Sequence, residues 1–224
     1  MYNPAAFAFD DRQEIVALLR RAALGHLVTH GRTDTGDLSS TALSSTALSS
    51  TALPFVIDDD LTHVRAHFAR ANPQWRSIDG AEALLIVPGL DTYISPRWYP
   101  SKAENGKVVP TWNYELVHLH GTVEIHDDPQ WVRTMVQDLT NQHEGRLSES
   151  DQRPPWQVGD APDEFIAGQL KAIVGVRLNV TKVDAKRKLS QNRTEGDRLG
   201  AIAGLTDSAS PSDREIAALM DRPS

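Results

Sequence analysis

Apolar residues along the chain fall into two rhythms, and each marks a different kind of element. Ile15, Leu18, Leu19 and Ala22 recur at i, i+3, i+4 and i+7 behind Asp11 and Glu14, which stand in capping-box spacing. This predicts an amphipathic helix over 11–24, ended by Gly25. His26 to His30 then reads as a short strand. Residues 61–68 alternate, with His63, Arg65 and His67 on one face and Val64, Ala66 and Phe68 on the other, as in a half-buried strand. The cleanest alternation lies in 117–125, where Val117, Leu119, Val123 and Ile125 oppose His118, His120, Thr122 and Glu124. Val174, Val176, Leu178 and Val180 predict a last long strand over 173–183. Ala83 to Val87 and Thr92 to Ser95 read as two strands joined into a hairpin by Pro88-Gly89.

Helical patterns punctuate the ends. Asp128-Pro129 opens a helix carrying Trp131, Val132, Met135, Val136 and Leu139, with proline in its first turn. Shorter helices are predicted over 163–170, 194–203 and 212–220. Strands follow one another without regular intervening helices, so the order fits a mainly β fold, a closed or nearly closed antiparallel barrel with peripheral helices. No glycine-rich loop leads from a strand into a helix, which excludes Rossmann and P-loop readings.

One segment obeys neither rhythm. Residues 39–53 are Ser-Ser-Thr-Ala-Leu written three times, a period of five. Two copies read as a tandem insertion that enlarges a loop, and the third continues into the strand Leu53 to Ile57 before the acidic turn Asp58 to Asp60.

Composition narrows the function classes. The 224 residues are 40% hydrophobic and 24% charged, which excludes wholesale disorder. There is no cysteine, so disulfides, thiolate nucleophiles, zinc-thiolate sites and iron-sulfur clusters are excluded. Residues 1–10 lack a basic region and an apolar run, and no apolar stretch nears the ~18 residues that span a bilayer, so a cytoplasmic protein without membrane contact is expected. A net charge of -7 disfavours a dedicated nucleic-acid binder.

The densest polar and aromatic cluster runs from Tyr93 through Ser95, Arg97, Trp98, Tyr99, Ser101 and Lys102, and resumes at Thr111, Trp112, Asn113 and Tyr114. Hydroxyls with a lysine suit a phosphate, and tryptophan and tyrosine suit a flat ring, so a phosphorylated planar cofactor would use both. The alternative is a surface loop whose aromatics cover the end of the barrel.

The segments Met1-Tyr2-Asn3-Pro4, Leu53-Pro54-Phe55, His67 to Trp75, Tyr93 to Tyr99, Val109 to Tyr114 and Lys188-Leu189-Ser190-Gln191-Asn192 occur in the order and spacing of the PaiB family, which the chain resembles over residues 1 to ~205. Members are described as FMN-binding negative transcriptional regulators. The resemblance implies an FMN-binding split β-barrel over 1–205, like that of pyridoxamine-phosphate oxidases, with 206–224 as a C-terminal helical tail. It also implies a homodimer with FMN between subunits. Carried over, Ser101 and Lys102 resemble the pair that holds the FMN phosphate. Thr111, Trp112 and Asn113 would line the ring or ribityl chain, Lys188, Ser190 and Gln191 would reach the site from the last strand, and His67 and Arg70 belong to a further family motif. One departure is Ala52, where the family often has histidine before the Leu-Pro pair.

Other readings stay open. Piperazate synthases, haem enzymes that close a nitrogen-nitrogen bond, share the Arg-Ala-Asn-Pro, Pro-Thr-Trp and Lys-Leu-Ser-Gln motifs, so haem on His63 or His67 is the alternative cofactor. The fuller Trp98 to Lys102 stretch and Asn113-Tyr114 are closer to ordinary PaiB members. Arg177 to Arg198 holds seven basic and three acidic residues, a local +4, yet no helix-turn-helix accompanies it. Direct DNA binding by a cofactor-free repressor is therefore the less favoured reading. His118, His120 and His126 more often pave a polar strand than bind metal, so no metal is expected. No protein-side catalytic triad or carboxylate pair can be argued; any redox chemistry would belong to the flavin.

Overall fold

Strands with one apolar face bury it when the sheet closes on itself, and among the described residues six strands do so. A computed structural model describes residues 1–30, 48–148 and 153–222. The strands are β1 (Leu24–His30), β2 (Leu48–Ile57), β3 (His63–Ala69), β4 (Glu82–Ile94), β5 (Thr111–His126) and β6 (Ile173–Lys188). The helices are α1 (Arg12–Ala22), α2 (Ser101–Asn105), α3 (Pro129–Ser148), α4 (Asp163–Leu170), α5 (Glu195–Thr206) and α6 (Pro211–Met220). The barrel order is β1-β2-β3-β6-β5-β4, closed between β4 and β1. Pairings of β1 with β2 and β4, and of β3 with β2 and β6, are all antiparallel. The expected mainly β antiparallel barrel with peripheral helices is the observed fold.

The chain divides into two compact units. The barrel unit comprises Arg12–Val87 and His118–Val183; the terminal unit comprises Met1–Asp11, Pro88–Val117 and Asp184–Ser224. In the barrel unit the alternation read from the sequence becomes an inner face of Leu53, Phe55, Ile57, Val64, Ala66, Phe68, Leu119, Val123, Val174, Val176 and Leu178. Each large apolar side chain so buried stabilises the fold by about 1.5–3 kcal/mol. The outward face of β3 keeps His63, Arg65 and His67 half-buried, as the alternation predicts. In the terminal unit Ile94, Tyr99, Leu189, Ala201, Leu205, Ile216 and Met220 form a second core, so α5 and α6 pack into the same cluster.

Three local expectations are corrected. The first helix stops at Ala22, and Ala23 takes the left-handed turn with φ +50. Gly25 lies in β1, where a Cβ would stand 2.8 Å from the Leu85 side chain. Pro88-Gly89 does not turn a hairpin, because β4 runs unbroken from Glu82 to Ile94. Gly89 is needed for a close approach: a Cβ there would meet that of Glu115 at 2.7 Å. Strands β5 and β6 are both longer than the apolar alternation alone indicated, beginning at Thr111 and ending at Lys188. The third Ser-Ser-Thr-Ala-Leu copy is strand, Ser49 to Leu53 facing Thr29 to Gly25 of β1. The first copy and most of the second lie outside the described residues.

Candidate functional site

In the terminal unit, β4 ends at Ile94, and the buried hydroxyl of Ser95 just after it accepts hydrogen bonds from the Arg97 backbone N–H (3.3 Å) and Nε (3.2 Å). That turn aims Arg97 outward and leads through Tyr99 into the single turn of α2. Gly106, at φ +66, ends α2 by donating its N–H to the Lys102 carbonyl, and Pro110 delivers the chain into β5. The hairpin connection so built lines an open cavity of about 610 Å³, with Tyr93, Ser95, Pro96, Arg97, Lys102 and Val108 in its wall. Beside it Trp112, 51% exposed, meets the Tyr93 ring edge-on at 6.3 Å. Two cations and two exposed aromatic rings therefore flank one hollow, a donor set for a phosphate and a face for a planar ring.

Ser101 points elsewhere. Its backbone N–H (3.1 Å) and hydroxyl (2.7 Å) both donate to the carboxylate of Asp197 in α5, which is buried. A carboxylate satisfied by two donors fixes the first turn of α2, and so fixes the residue that follows, Lys102. Nothing in the sequence connects these groups, which lie 96 residues apart.

The other anticipated residues of this unit form two inner pairs. The Lys188 ammonium donates to the Thr111 hydroxyl at 2.6 Å. Burial pulls the Lys188 pKa below the usual lysine range; Tyr114 opposes this, and the charges of Lys186 and Arg193 add to it. The Ser190 hydroxyl donates to the Asn113 side-chain oxygen at 3.2 Å, both residues fully buried. Ser190 holds φ +65, a conformation costing about 1–3 kcal/mol outside glycine unless the surroundings enforce it. Gln191 does the enforcing: its Oε1 accepts from the Leu189 N–H at 2.6 Å, and its Nε2 donates to the Arg187 carbonyl at 2.7 Å.

His67 and Arg70 belong to the barrel unit. The Arg70 guanidinium grips both carboxylate oxygens of Asp127 and donates to the carbonyls of Lys171 (2.8 Å) and Ile173 (3.0 Å). Asp127 raises the Arg70 pKa and Arg70 lowers that of Asp127. The residues after Arg70 extend the same fastening. Asn72 donates to Thr51, and the buried Gln74 amide reaches Thr29 (2.9 Å) and the carbonyls of Leu27 and Ser49. Thus the Arg-Ala-Asn-Pro-Gln-Trp segment ties β1, β2 and the end of β3 together. His67 carries a buried Nδ1 without a hydrogen-bond partner, and burial lowers its pKa. Ala52 stands across from His26 in the β1–β2 register.

Residues 1–182 match the family described as "Putative FMN-binding domain". The Bacillus subtilis protease synthase and sporulation protein PAI 2 is 32% identical over 222 residues, covering 99% of this chain and 97% of its own. The chain belongs to the PaiB family of FMN-binding proteins. Solved structures agree on the fold. A conserved hypothetical protein of Mycobacterium tuberculosis superposes with a TM-score of 0.55 at 13% identity, covering 84% of this chain and 90% of its own. The flavocytochrome Anf3 of Azotobacter vinelandii gives 0.51 at 18%, covering 81% and 69%. For a PaiB protein the cavity at Lys102 is chemically apt, because it offers two cations without a carboxylate partner among the described residues for a phosphate, and ring faces for a flavin, within a volume suited to a cofactor. Sequence reasoning passed over Arg97, Tyr93 and Asp197 as site residues; the first two stood within the recognised cluster, whereas Asp197 gave no signal.

Proposed function

We propose that this PaiB-type FMN-binding protein holds the flavin in the terminal unit, with the phosphate toward Lys102 and Arg97 and the ring system against Tyr93 and Trp112. The observation that carries this reading is the open cavity of about 610 Å³ whose wall includes Arg97 and Lys102, neither paired with a carboxylate among the described residues. Ser101 acts by positioning, since its hydroxyl is spent on Asp197. Thr111 with Lys188, and Asn113 with Ser190 and Gln191, shape the floor of the unit. Bound FMN supplies hydride and single-electron chemistry; the protein supplies binding, orientation and charge.

A homodimer is part of the proposal. Tyr93, Val109 and Trp112 are 47%, 64% and 51% exposed, an apolar margin around the cavity that a second copy would cover. Negative transcriptional regulation is proposed to run through the flavin or a protein partner. Supporting this indirect route, much of the basic run on β6 and beyond is used internally: Arg177 binds Glu124, Arg187 binds Glu115, and Arg198 donates to the Met220 carbonyl. No helix of the described residues is long and apolar enough to cross a membrane. Fluorescence titration with FMN tests the site. Lys102→Ala is expected to lose about tenfold or more in affinity, the worth of one charge-assisted contact, and unchanged affinity would remove Lys102 from the site.

A further inference from the structure

The exit of β6 carries an electrostatic imbalance that the Lys102 cavity does not use. Lys186 is only 8% exposed, yet its ammonium has no carboxylate partner among the described residues. It donates to the Tyr2 carbonyl at 3.2 Å and lies 5.3–5.9 Å from the rings of Tyr2, Phe7 and Tyr114. Lys188, two residues on and on the same strand face, donates to the Thr111 hydroxyl and has no carboxylate partner among the described residues. Arg193 lies over the Tyr99 ring at 5.2 Å and forms no ion pair among the described residues. Arg187, between the two lysines and on the opposite face, is by contrast paired with Glu115 at 3.0 Å.

Burying cations together without a counter-charge is costly; aromatic faces return only part of the cost. The depressed Lys188 pKa reflects that strain, with Lys186 and Arg193 both contributing after burial. A second feature points the same way. The Tyr99 hydroxyl is buried beside Arg193 and Ser190, within reach of the Asp197 charge, and makes no well-aligned hydrogen bond among the described residues. Cations without carboxylates beside hydroxyl donors form the donor set of an oxyanion, whose several lone pairs accept from all of them.

We propose that Lys186, Lys188 and Arg193, with Thr111 and Tyr99, form a binding site for a phosphate-class oxyanion. Its residues are distinct from those lining the Lys102 cavity. The anion is either the phosphate of FMN or that of a second phosphorylated ligand; both present the same dianion. The proposal does not rest on the Lys102 reading, because inorganic phosphate probes the site without any flavin.

Calorimetric titration of the full-length protein with inorganic phosphate in chloride buffer tests it. The wild type binds phosphate. Lys188→Met weakens binding at least about tenfold, and Lys188→Arg, which keeps the charge, holds it within about threefold. Arg193→Gln, at a half-exposed position, gives the same loss should Lys188→Met fold poorly. The FMN affinity of the same variant identifies the source: Lys188→Met that also weakens FMN binding assigns the cluster to the flavin phosphate, and Lys188→Met that leaves FMN affinity unchanged assigns it to a second ligand. Phosphate bound by a protein that never binds FMN sinks the flavin reading and leaves the cluster standing. No phosphate binding by the wild type, or equal binding by Lys188→Met and Arg193→Gln, overturns the proposal.

Discussion

In the barrel unit Arg65 lies between Asp58 and Asp138, Arg70 grips Asp127, Arg133 meets Asp163 and Arg177 meets Glu124. In the terminal unit Arg97, Lys102, Lys186, Lys188 and Arg193 have no carboxylate partner among the described residues. Partly exposed ion pairs contribute about 0–1 kcal/mol each, so the contrast matters little for stability. It matters for availability. A guanidinium already holding a carboxylate and two carbonyls, as Arg70 does, has spent four of its five donors; a lysine facing a hollow has three. The barrel unit uses these charges to fasten strands; in the terminal unit Arg187 is paired with Glu115, and the cations without a carboxylate are the ones proposed to hold an anion.

Several substitutions would break or sharpen that contrast. The largest effect is expected inside the barrel. Phe68 is fully buried, and Phe68→Ala should cost about 3–5 kcal/mol in urea unfolding, with FMN affinity of the remaining folded protein within about twofold. Loss of FMN binding by a still-folded Phe68→Ala protein would blur the division of labour. Next, Asp197→Ala removes the acceptor of both Ser101 donors and should cost about 2 kcal/mol. Because it releases the turn that presents Lys102, it should weaken FMN binding as well, a coupling that titration of the folded variant would show; retained affinity would mean that Ser101 and Asp197 do not position α2.

Smaller effects come from the histidines. Burial lowers the pKa of both His67 and His126; for His126 the Arg177 charge adds to this and Glu124 opposes it. Since the folded values lie below the ordinary 6.5, the unfolded chain binds more protons as pH falls through 6.5, and stability falls with it until the folded histidines also protonate. Chemical unfolding at pH 7 and pH 5 should therefore show a loss on acidification. That loss should shrink in His67→Asn and shrink further in the double variant with His126→Asn. An unchanged pH dependence in both would mean that neither imidazole is buried in solution.

How far the sequence foretold this can be judged from particular residues. The outward His63, Arg65 and His67 and the inward Val117, Leu119 and Val123 were legible because strand alternation is a local property. Pro88-Gly89 misled because its meaning is not local: the glycine answers to Glu115, which packs beside it in the folded chain. The same limit hid the chemistry. Arg70 with Asp127, Lys188 with Thr111 and Ser101 with Asp197 are separated by 57, 77 and 96 residues. The sequence named the residue types suited to a phosphate, and only the fold shows which of them are already taken.

The central claim is that cofactor binding belongs to the unpaired cations of the terminal unit, and paired titrations test it most directly. FMN fluorescence quenching is measured for the wild type, Lys102→Ala and Arg70→Ala under one buffer. The account predicts an affinity loss of about tenfold or more for Lys102→Ala, and for Arg70→Ala a lower thermal midpoint with affinity within about twofold. Undiminished binding by Lys102→Ala together with lost binding by a folded Arg70→Ala protein would contradict it.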